Sequence, residues 1–573
     1  MPEGTPFSDL CGLMEKLEST KKRTEMIFEV SEFLRRVLRE EISPATLFLT
    51  GKVFPSWDVR TLDISGATLW PLILRLTSSS PDEMTEAYEA TGDFGDAVKK
   101  ILARKSTAKK QETLLSLNPL TIIEVKQQLE ELAVVSGEGS RKRKERITEA
   151  LVARASPMEA KFIIRMILGE MRTGFQEGLL AEAVSKAFNV PAELIRRATM
   201  ISGDLGLVAE AAMTGGEPAV SSLQVTPFRV IKPMLAATAS SAKEALQEYG
   251  GTAAFEYKLD GARVQIHVKD GKVRIWSRRL TEVTESLPEV VNLIKTSLGA
   301  RTAILEGEVV AIGRNNKPLP FQHLMRRFRR KYDLDRLIQR VPTELCVFDL
   351  LYIDDQSMID EPYVERRKKL LELTDRIHPV KSLVTGDPDG AERFLDEAIE
   401  LGHEGLVAKD LNGQYTPGIR GKKWFKIKRV MEPLDLVITE VEYGYGKRHE
   451  WLSDYTLSAL DEETGRFMPI GKTFTGLRDE EIKEMTSRLK SITIAEQGRR
   501  IIVKPQIVVE VIFNEIQESP KYESHMALRF ARITRIRDDK SPNEVDTLAR
   551  VKTLYDQQFA HKASIDLDKK SQA

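Results

Sequence analysis

The segment Glu256-Tyr257-Lys258-Leu259-Asp260-Gly261-Ala262-Arg263 puts a lysine at the end of a short apolar run, directly before an Asp-Gly turn. A lysine amine is a nucleophile only when neutral, and its ordinary pKa is about 10.4. Desolvation and neighbouring cations favour the neutral form. Arg263 stands nearby, and Lys426 and Lys428 lie further along the chain. Such cations also spread charge on a phosphoryl group in transfer. Glu308 and Glu404 are oxygen ligands of the kind magnesium prefers. Phe348 offers a π-face for a base. Each residue also has a plainer reading. Lys-x-Asp-Gly suits a surface lysine beside a tight turn, Phe348 in Cys-Val-Phe-Asp-Leu-Leu suits a strand core, and Glu308 among apolar neighbours suits a strand's wet face.

The elements that must position these residues fall into three parts. Residues 1–216 read as an all-helical domain. Ser80-Pro81-Asp82-Glu83 and Ser156-Pro157-Met158-Glu159 each supply a serine N-cap, a proline at the first helical position and a glutamate that closes a capping box. Phe162, Ile163, Met166 and Ile167 follow at helical spacing. Gly137 to Lys144 is a glycine turn followed by four cations, and either holds a DNA backbone or is a solvated loop. Met171-Arg172-Thr173-Gly174 is a second candidate of this kind. Residues 217–431 read as an α+β domain. Gln265–Lys269 and Lys272–Trp276 alternate around Asp270-Gly271, a hairpin signature. Residues 432–573 carry short β-branched runs, Leu436–Thr439, Ile501–Val503 and Val508–Ile512, which suggest a small barrel, then a helix from about Asn543 and a polar tail.

The 573 residues suffice for several cored domains. Hydrophobic content of 41% and charged content of 30% are those of an ordinary globular chain. Lys plus Arg equals Asp plus Glu at 86 each, so any nucleic-acid contact must come from charge segregated into patches. Two separated cysteines, Cys11 and Cys346, exclude a disulfide framework or a four-cysteine zinc site. The seven histidines form no metal-ligand spacing. Met1–Leu10 lacks the basic and apolar regions of a signal peptide, and no apolar run reaches the roughly 20 residues that span a bilayer. The expected location is the cytoplasm, beside the nucleoid in a prokaryote.

Taken in order, the motifs resemble those of the covalent nucleotidyltransferases, and specifically ATP-dependent DNA ligases of the archaeal and eukaryotic replicative type. Lys258-Leu259-Asp260-Gly261-Ala262-Arg263 is similar to the first motif and Ser277-Arg278-Arg279 to the next. Glu306-Gly307-Glu308-Val309-Val310, Val347–Tyr352, Glu404–Lys409 and Trp424–Lys428, with Arg420 just before the last, follow in family order. Arg529-Phe530-Ala531-Arg532, through Arg537 and Lys540, resembles the sixth motif. Pro233-Met234-Leu235-Ala236 looks like the family's domain entry. The resemblance implies a helical DNA-binding domain, a nucleotidyltransferase domain and an OB-fold. It makes Lys258 the residue that carries AMP. It assigns ATP contacts to Glu256, Arg263, Arg278, Glu308, Phe348, Arg420 and Lys426, and phosphate contacts to Lys428, Arg532, Arg537 and Lys540. It makes Glu308 and Glu404 ligands of Mg2+ or Mn2+. Gly139, Ser140, Lys142 and Arg172 are the candidate DNA contacts.

The implied reaction joins a nick in duplex DNA in three steps, with use in replication, repair and recombination. The sixth-motif cations are expected to orient pyrophosphate, and the barrel then to swing aside on hinges near Gly216 and Pro433. The implied partners are nicked DNA and a sliding clamp, the latter through Gln111-Glu112-Thr113-Leu114-Leu115; a monomer without a membrane segment is expected. Arg326–Lys331 either tracks DNA or is a solvated helix face. An RNA ligase or capping enzyme would share Lys258 without needing the helical third. A non-catalytic DNA or clamp scaffold would not need Lys258, Glu404, Lys426 and Lys428 intact. The compact layout looks archaeal.

Overall fold

The computed structural model describes residues 4–58, 60–106, 119–313, 317–328, 338, 340–373, 377–429, 431–444, 448, 450–559 and 562. From Phe7 to Ser221 the elements are helices packed around one apolar core that runs from Phe7 to Val220. Ser80 and Ser156 close the capping boxes expected of them. Each hydroxyl accepts from the backbone of the third helical residue, and the Glu83 or Glu159 carboxylate accepts in return at 2.8 Å. The helix Pro157–Leu168 buries more than its apolar stripe. Lys161 and Arg165 are also interior, engaged by Glu15, Glu18, Asp93 and Asp96 from two other helices. Spacing alone does not show this, because the partners lie far off in sequence. Among the described residues, no helix is long and apolar enough to cross a membrane.

At residue 216, where the sequence suggests a domain boundary, the helix Leu205–Ser221 is kinked. Gly216 has φ 59° and ψ −147° inside the helix Leu205–Ser221, a conformation that glycine adopts without a Cβ penalty. The short turn beyond it still packs Val220 into the helical core.

The middle region holds two sheets. One has the order β1-β11-β10-β2-β9, with β1 (Leu235–Thr238), β2 (Ala253–Lys258), β9 (Ser382–Thr385), β10 (Gly405–Lys409) and β11 (Arg420–Ile427). The other has the order β4-β3-β5-β6-β7, with β7 (Gln356–Ser357) and β8 (His378–Pro379) beside β6. Its long strands are β3 (Ala262–Lys269), β4 (Lys272–Ser277), β5 (Thr302–Ala311) and β6 (Thr343–Ile353). The β3–β4 hairpin turns at Asp270 and Gly271, both at positive φ, as an Asp-Gly two-residue turn requires. One apolar cluster draws on both sheets, a second backs the β3–β6 sheet, and the Lys258–Gly261 turn passes from one sheet to the other.

The third region is β-rich. Its main sheet runs β14 (Arg466–Thr473), β13 (Leu452–Asp461), β12, β16 (Arg500–Val503) and β15 (Thr493–Gln497), with β17 bridging β12 and β20, and β18–β19 form a separate hairpin. Here β12 is Leu434–Tyr443, β17 Val508–Ile512, β18 Glu515–Glu518, β19 Met526–Arg529 and β20 Arg532–Ile536. The closing helix is Leu548–Phe559.

A buried clip holds the connection between the first two regions. His267 Nδ1 accepts from Phe228 N at 2.8 Å, and Gln265 exchanges hydrogen bonds with both backbone groups of Ile231. His267 Nε2 lies 2.9 Å from Gln265 Oε1, so the proton sits on Nε2. Burial pushes this imidazole down to about 3. Its ordinary value is about 6.5, so the clip contributes stability above that pH and loses it as pH falls toward 3. At pH 5 the loss should be about 2 kcal/mol. Calorimetry should therefore show the midpoint falling more between pH 7 and pH 5 in the wild type than in His267→Gln. Equal falls would refute this role.

Candidate active site

Lys258 ends β2, opposite Gly405 of β10, and its carbonyl accepts from Glu404 N at 2.9 Å. This pairing brings two residues 146 positions apart together: Lys258 Nζ donates to Glu404 Oε2 at 2.5 Å. Lys428, just past β11, binds the same oxygen. Gly261 is required where the turn crosses β5, because a Cβ there would lie 2.4 Å from Val309 O. That approach leads directly to Arg263, which sits opposite Glu308 in the β3–β5 ladder.

The electrostatics differ from the sequence expectation in one respect. Burial alone would push Lys258 down. Attraction and a hydrogen bond from Glu404, backed by Glu308 and Asp260, more than reverse this, and the ammonium titrates above the usual lysine range. The cations expected to hold the amine neutral are outweighed by these carboxylates. Glu404 is itself held down to about 2, because Lys258 and Lys428 overcome its burial. Glu308 goes the other way: burial pushes it up to about 8 despite Lys258 and Arg263, with Glu404 and Asp260 adding to the rise. A buried carboxylate so poorly compensated suits a divalent cation shared with Glu404. Among the described residues no group of three or more His, Cys, Asp or Glu forms a metal cage. Magnesium does not need one, since it takes one or two carboxylates and completes its shell with water and phosphate.

Opposite the acids lies a basic wall. Lys426 on β11 is pushed down by burial and then by Lys428, Arg420, Lys258 and Arg278. Lys426 thus gathers Lys428, Lys258 and the sequence-distant Arg278 and Arg420 around it. Phe348 on β6 packs edge-on to Trp424, with Arg263 5.3 Å and Lys409 4.9 Å from its ring centre. Glu256 faces inward: its carboxylate takes Lys409 Nζ at 2.6 Å and the Tyr363 hydroxyl at 2.5 Å.

The remaining candidates are more scattered. Arg537 and Lys540 are both engaged by Asp435, at 3.0 and 2.6 Å, while Arg532 is exposed on β20. What the C-terminal region presents to the Lys258 pocket is instead Lys562, ion-paired with Asp260, and Glu515 of β18, whose carboxyl is raised by burial and then by Asp260. In the helical region Gly139 is the left-handed N-cap of the helix Ser140–Arg154, and Lys142 is exposed on its first turn. Lys144, from the same basic run, is buried against Leu62 O at 2.7 Å. Arg172 is tied to Asp93 at 3.2 Å. For Arg327 itself neither reading of the cationic run holds: it is fully buried and anchored by Glu289 and Ser286 O. The rest of that run, apart from the backbone of Arg326 and that of Phe328, lies outside the described residues, as does Gln111–Leu115.

Sequence reasoning missed the residues behind the site. Glu306, not Glu308, is the ion-pair partner of Arg263, at 2.7 Å. Tyr415 joins the same cluster and donates to Glu306 at 2.8 Å. No local signal marks Tyr415, whereas Glu306 shares the strand parity of Glu308.

A lysine paired with a carboxylate among buried acids and clustered cations, at the junction of two sheets, is the arrangement of a nucleotidyltransferase, and the relatives of this chain place it in that class. Three family models match consecutive stretches: DNA ligase N terminus over residues 6–185, ATP dependent DNA ligase domain over 233–428, and ATP dependent DNA ligase C terminal region over 448–540. The DNA ligase of Thermococcus fumicolans is 44% identical over 97% of this chain and 99% of its own. The DNA ligase of Methanopyrus kandleri is 42% identical over 96% and 99%. The solved structure of Pmar-Lig_PreS3 covers 92% of this chain and 99% of its own at TM-score 0.55 and 18% identity, a likeness of fold. The chain belongs to the ATP-dependent DNA ligases and seals nicks at the expense of ATP.

Proposed function

We propose that sealing runs through a lysyl-AMP intermediate on Lys258. The Nζ lone pair attacks the α-phosphorus of ATP. The bond to the pyrophosphate oxygen breaks and pyrophosphate leaves; the ammonium has lost one proton to free the lone pair, loses a second as the N–P bond forms, and keeps the third. A 5′-phosphate at the nick then takes the AMP and frees Lys258. Finally the 3′-hydroxyl attacks that phosphate, forms the phosphodiester and expels AMP. The observation that carries this reading is the geometry of Lys258, held at a strand end by Glu404, whose same oxygen also binds Lys428.

Arg263, Arg278, Arg420, Lys426 and Lys428 bind the triphosphate and ribose, and Phe348 stacks on the base. With the Glu256 carboxylate engaged by Lys409 and Tyr363, part of base reading falls to nearby backbone. Glu308 and Glu404 hold Mg2+ or Mn2+, which when bound neutralises the carboxylates that keep Lys258 protonated and draws charge from the phosphates.

The C-terminal region acts as an OB-type module. For Arg532, Arg537 and Lys540 to meet pyrophosphate, it must turn so that Lys562 and Glu515 leave the pocket, and it must move again to admit DNA. Gly139, Ser140, Lys142 and Arg172 contact the DNA backbone. A monomer that docks on a sliding clamp is the expected working form.

The test is incubation with α-labelled ATP and magnesium, followed by a nicked duplex. Label should appear on the protein, pass to the 5′-phosphate and leave as AMP on sealing. A wild-type protein that seals nicks without ever carrying label sinks this route. Chelation of the metal should cut labelling by about 100-fold or more; full labelling in chelator would refute the assignment of Glu308 and Glu404. Label from GTP instead of ATP would move the reading toward capping chemistry.

A further inference from the structure

Arg263 is gripped from behind. Its Nη1 donates to Met234 O at 2.7 Å and its Nη2 to Glu306 Oε2 at 2.7 Å. Its Nε is buried and has no hydrogen-bond partner among the described residues. A buried guanidinium N–H left open in this way is free to donate to a ligand or a water. Tyr415 completes the grip: its hydroxyl accepts from Met234 N at 2.9 Å, donates to Glu306 at 2.8 Å and lies 3.4 Å from Arg263 Nη2. Tyr415 and Glu306 are both 1% exposed. One phenol therefore ties together all the groups that fix Arg263.

The loop that carries Tyr415, between β10 and β11, also faces the helical region. Gln414 Nε2 donates to Asp360 O, and the Asp360 carboxylate accepts from Arg197 of the helix Ala192–Ser202 at 2.6 Å. At Gly418 the backbone passes so close to Lys232 and Met200 that an added Cβ would lie 3.3 Å from the Lys232 side chain. Lys232 is in turn paired with Glu177 of another helix at 2.5 Å.

We infer that Tyr415 is a positioning residue for Arg263, and that through its loop the docking of the helical region sets the affinity of the nucleotide site. This rests on the proposed role of Arg263 in binding ATP. Affinities coupled in this way are reciprocal, so bound ATP also tightens the docking of the helical region. The helical region thus has a part in the first chemical step, before DNA is present.

The test uses full-length protein and self-adenylation kinetics, on a wild type first shown to take label from ATP. If the wild type takes none, the underlying reading fails, and that failure is separate from this one. Tyr415→Phe keeps the ring against Trp424 and Arg366 and removes only the hydroxyl. It should raise KM for ATP about fivefold, the worth of about one hydrogen bond, with kcat within about twofold. Arg197→Glu sets a carboxylate against Asp360. It should also raise KM at constant kcat, and should add nothing further in the Tyr415→Phe background, as for two residues on one path. Unchanged KM in Tyr415→Phe overturns the inference, whatever the variant's melting temperature. So does a lower kcat at unchanged KM, no effect of Arg197→Glu, or full additivity in the double variant.

Discussion

Lys258→Ala should carry no label from α-labelled ATP and should seal nicks about four orders of magnitude more slowly than the wild type, or not at all. No neighbour can replace the nucleophile. Lys428 shares Glu404 with Lys258, but it lies beyond β11, and the Lys258–Gly261 turn aims only Lys258 from the sheet junction. The fold should survive, because Glu404 keeps Lys428 and the β2–β10 pairing is made by backbone. The informative control is a nick already carrying AMP on its 5′-phosphate. The lysine is spent by that stage, so Lys258→Ala should seal it at a rate within about tenfold of wild type. Loss of that step as well would mean that the substitution damaged the site as a whole. Label persisting on the variant would place the nucleophile elsewhere.

Where the signals were local, the sequence was enough. The two Ser-Pro-x-Glu caps and the Asp270-Gly271 hairpin each depend on a few adjacent residues, and backbone conformation follows from them. The ordered motifs placed Lys258, Glu404, Lys426 and Lys428 in one pocket, because resemblance carries long-range information that spacing lacks. What stayed hidden was set by tertiary contact. Arg327 looks like a surface cation until Glu289 and Ser286 surround it. Glu306 and Glu308 share one face of β5, but the register shifts between Glu306 and Gly307 where β5 meets β6, and only Glu306 is drawn into the buried cluster with Arg263. Tyr415 reaches Arg263 from 152 residues away. The charge state of Lys258 was equally hidden: counting nearby cations predicts a lowered pKa, and the balance turned on how closely Glu404 approaches.

That balance makes Glu404→Gln the sharpest second experiment, because two of its effects run in opposite directions. Glu404 is the largest influence raising Lys258, ahead of Glu308 and Asp260. Removing its charge should let burial prevail and lower the lysine. The neutral amine fraction below the pKa rises about tenfold for each unit by which the pKa falls. An amine-directed acylating reagent should therefore modify Lys258 of the free variant faster than that of the wild type at pH 8. In both proteins the rate should climb with pH toward the respective pKa, and the wild type should level off at higher pH. Transfer from ATP should move the other way. With the amide, the site loses one of two hard anionic oxygens for a divalent cation and the acceptor that aims Lys258, so self-adenylation should fall about 100-fold or more. A lysine more reactive toward a simple reagent and less reactive toward ATP is the signature of a carboxylate that serves the bound state at the cost of the free one. If both rates rise, Glu404 is only a brake on Lys258; if both fall, the raised pKa of the lysine does not come from Glu404.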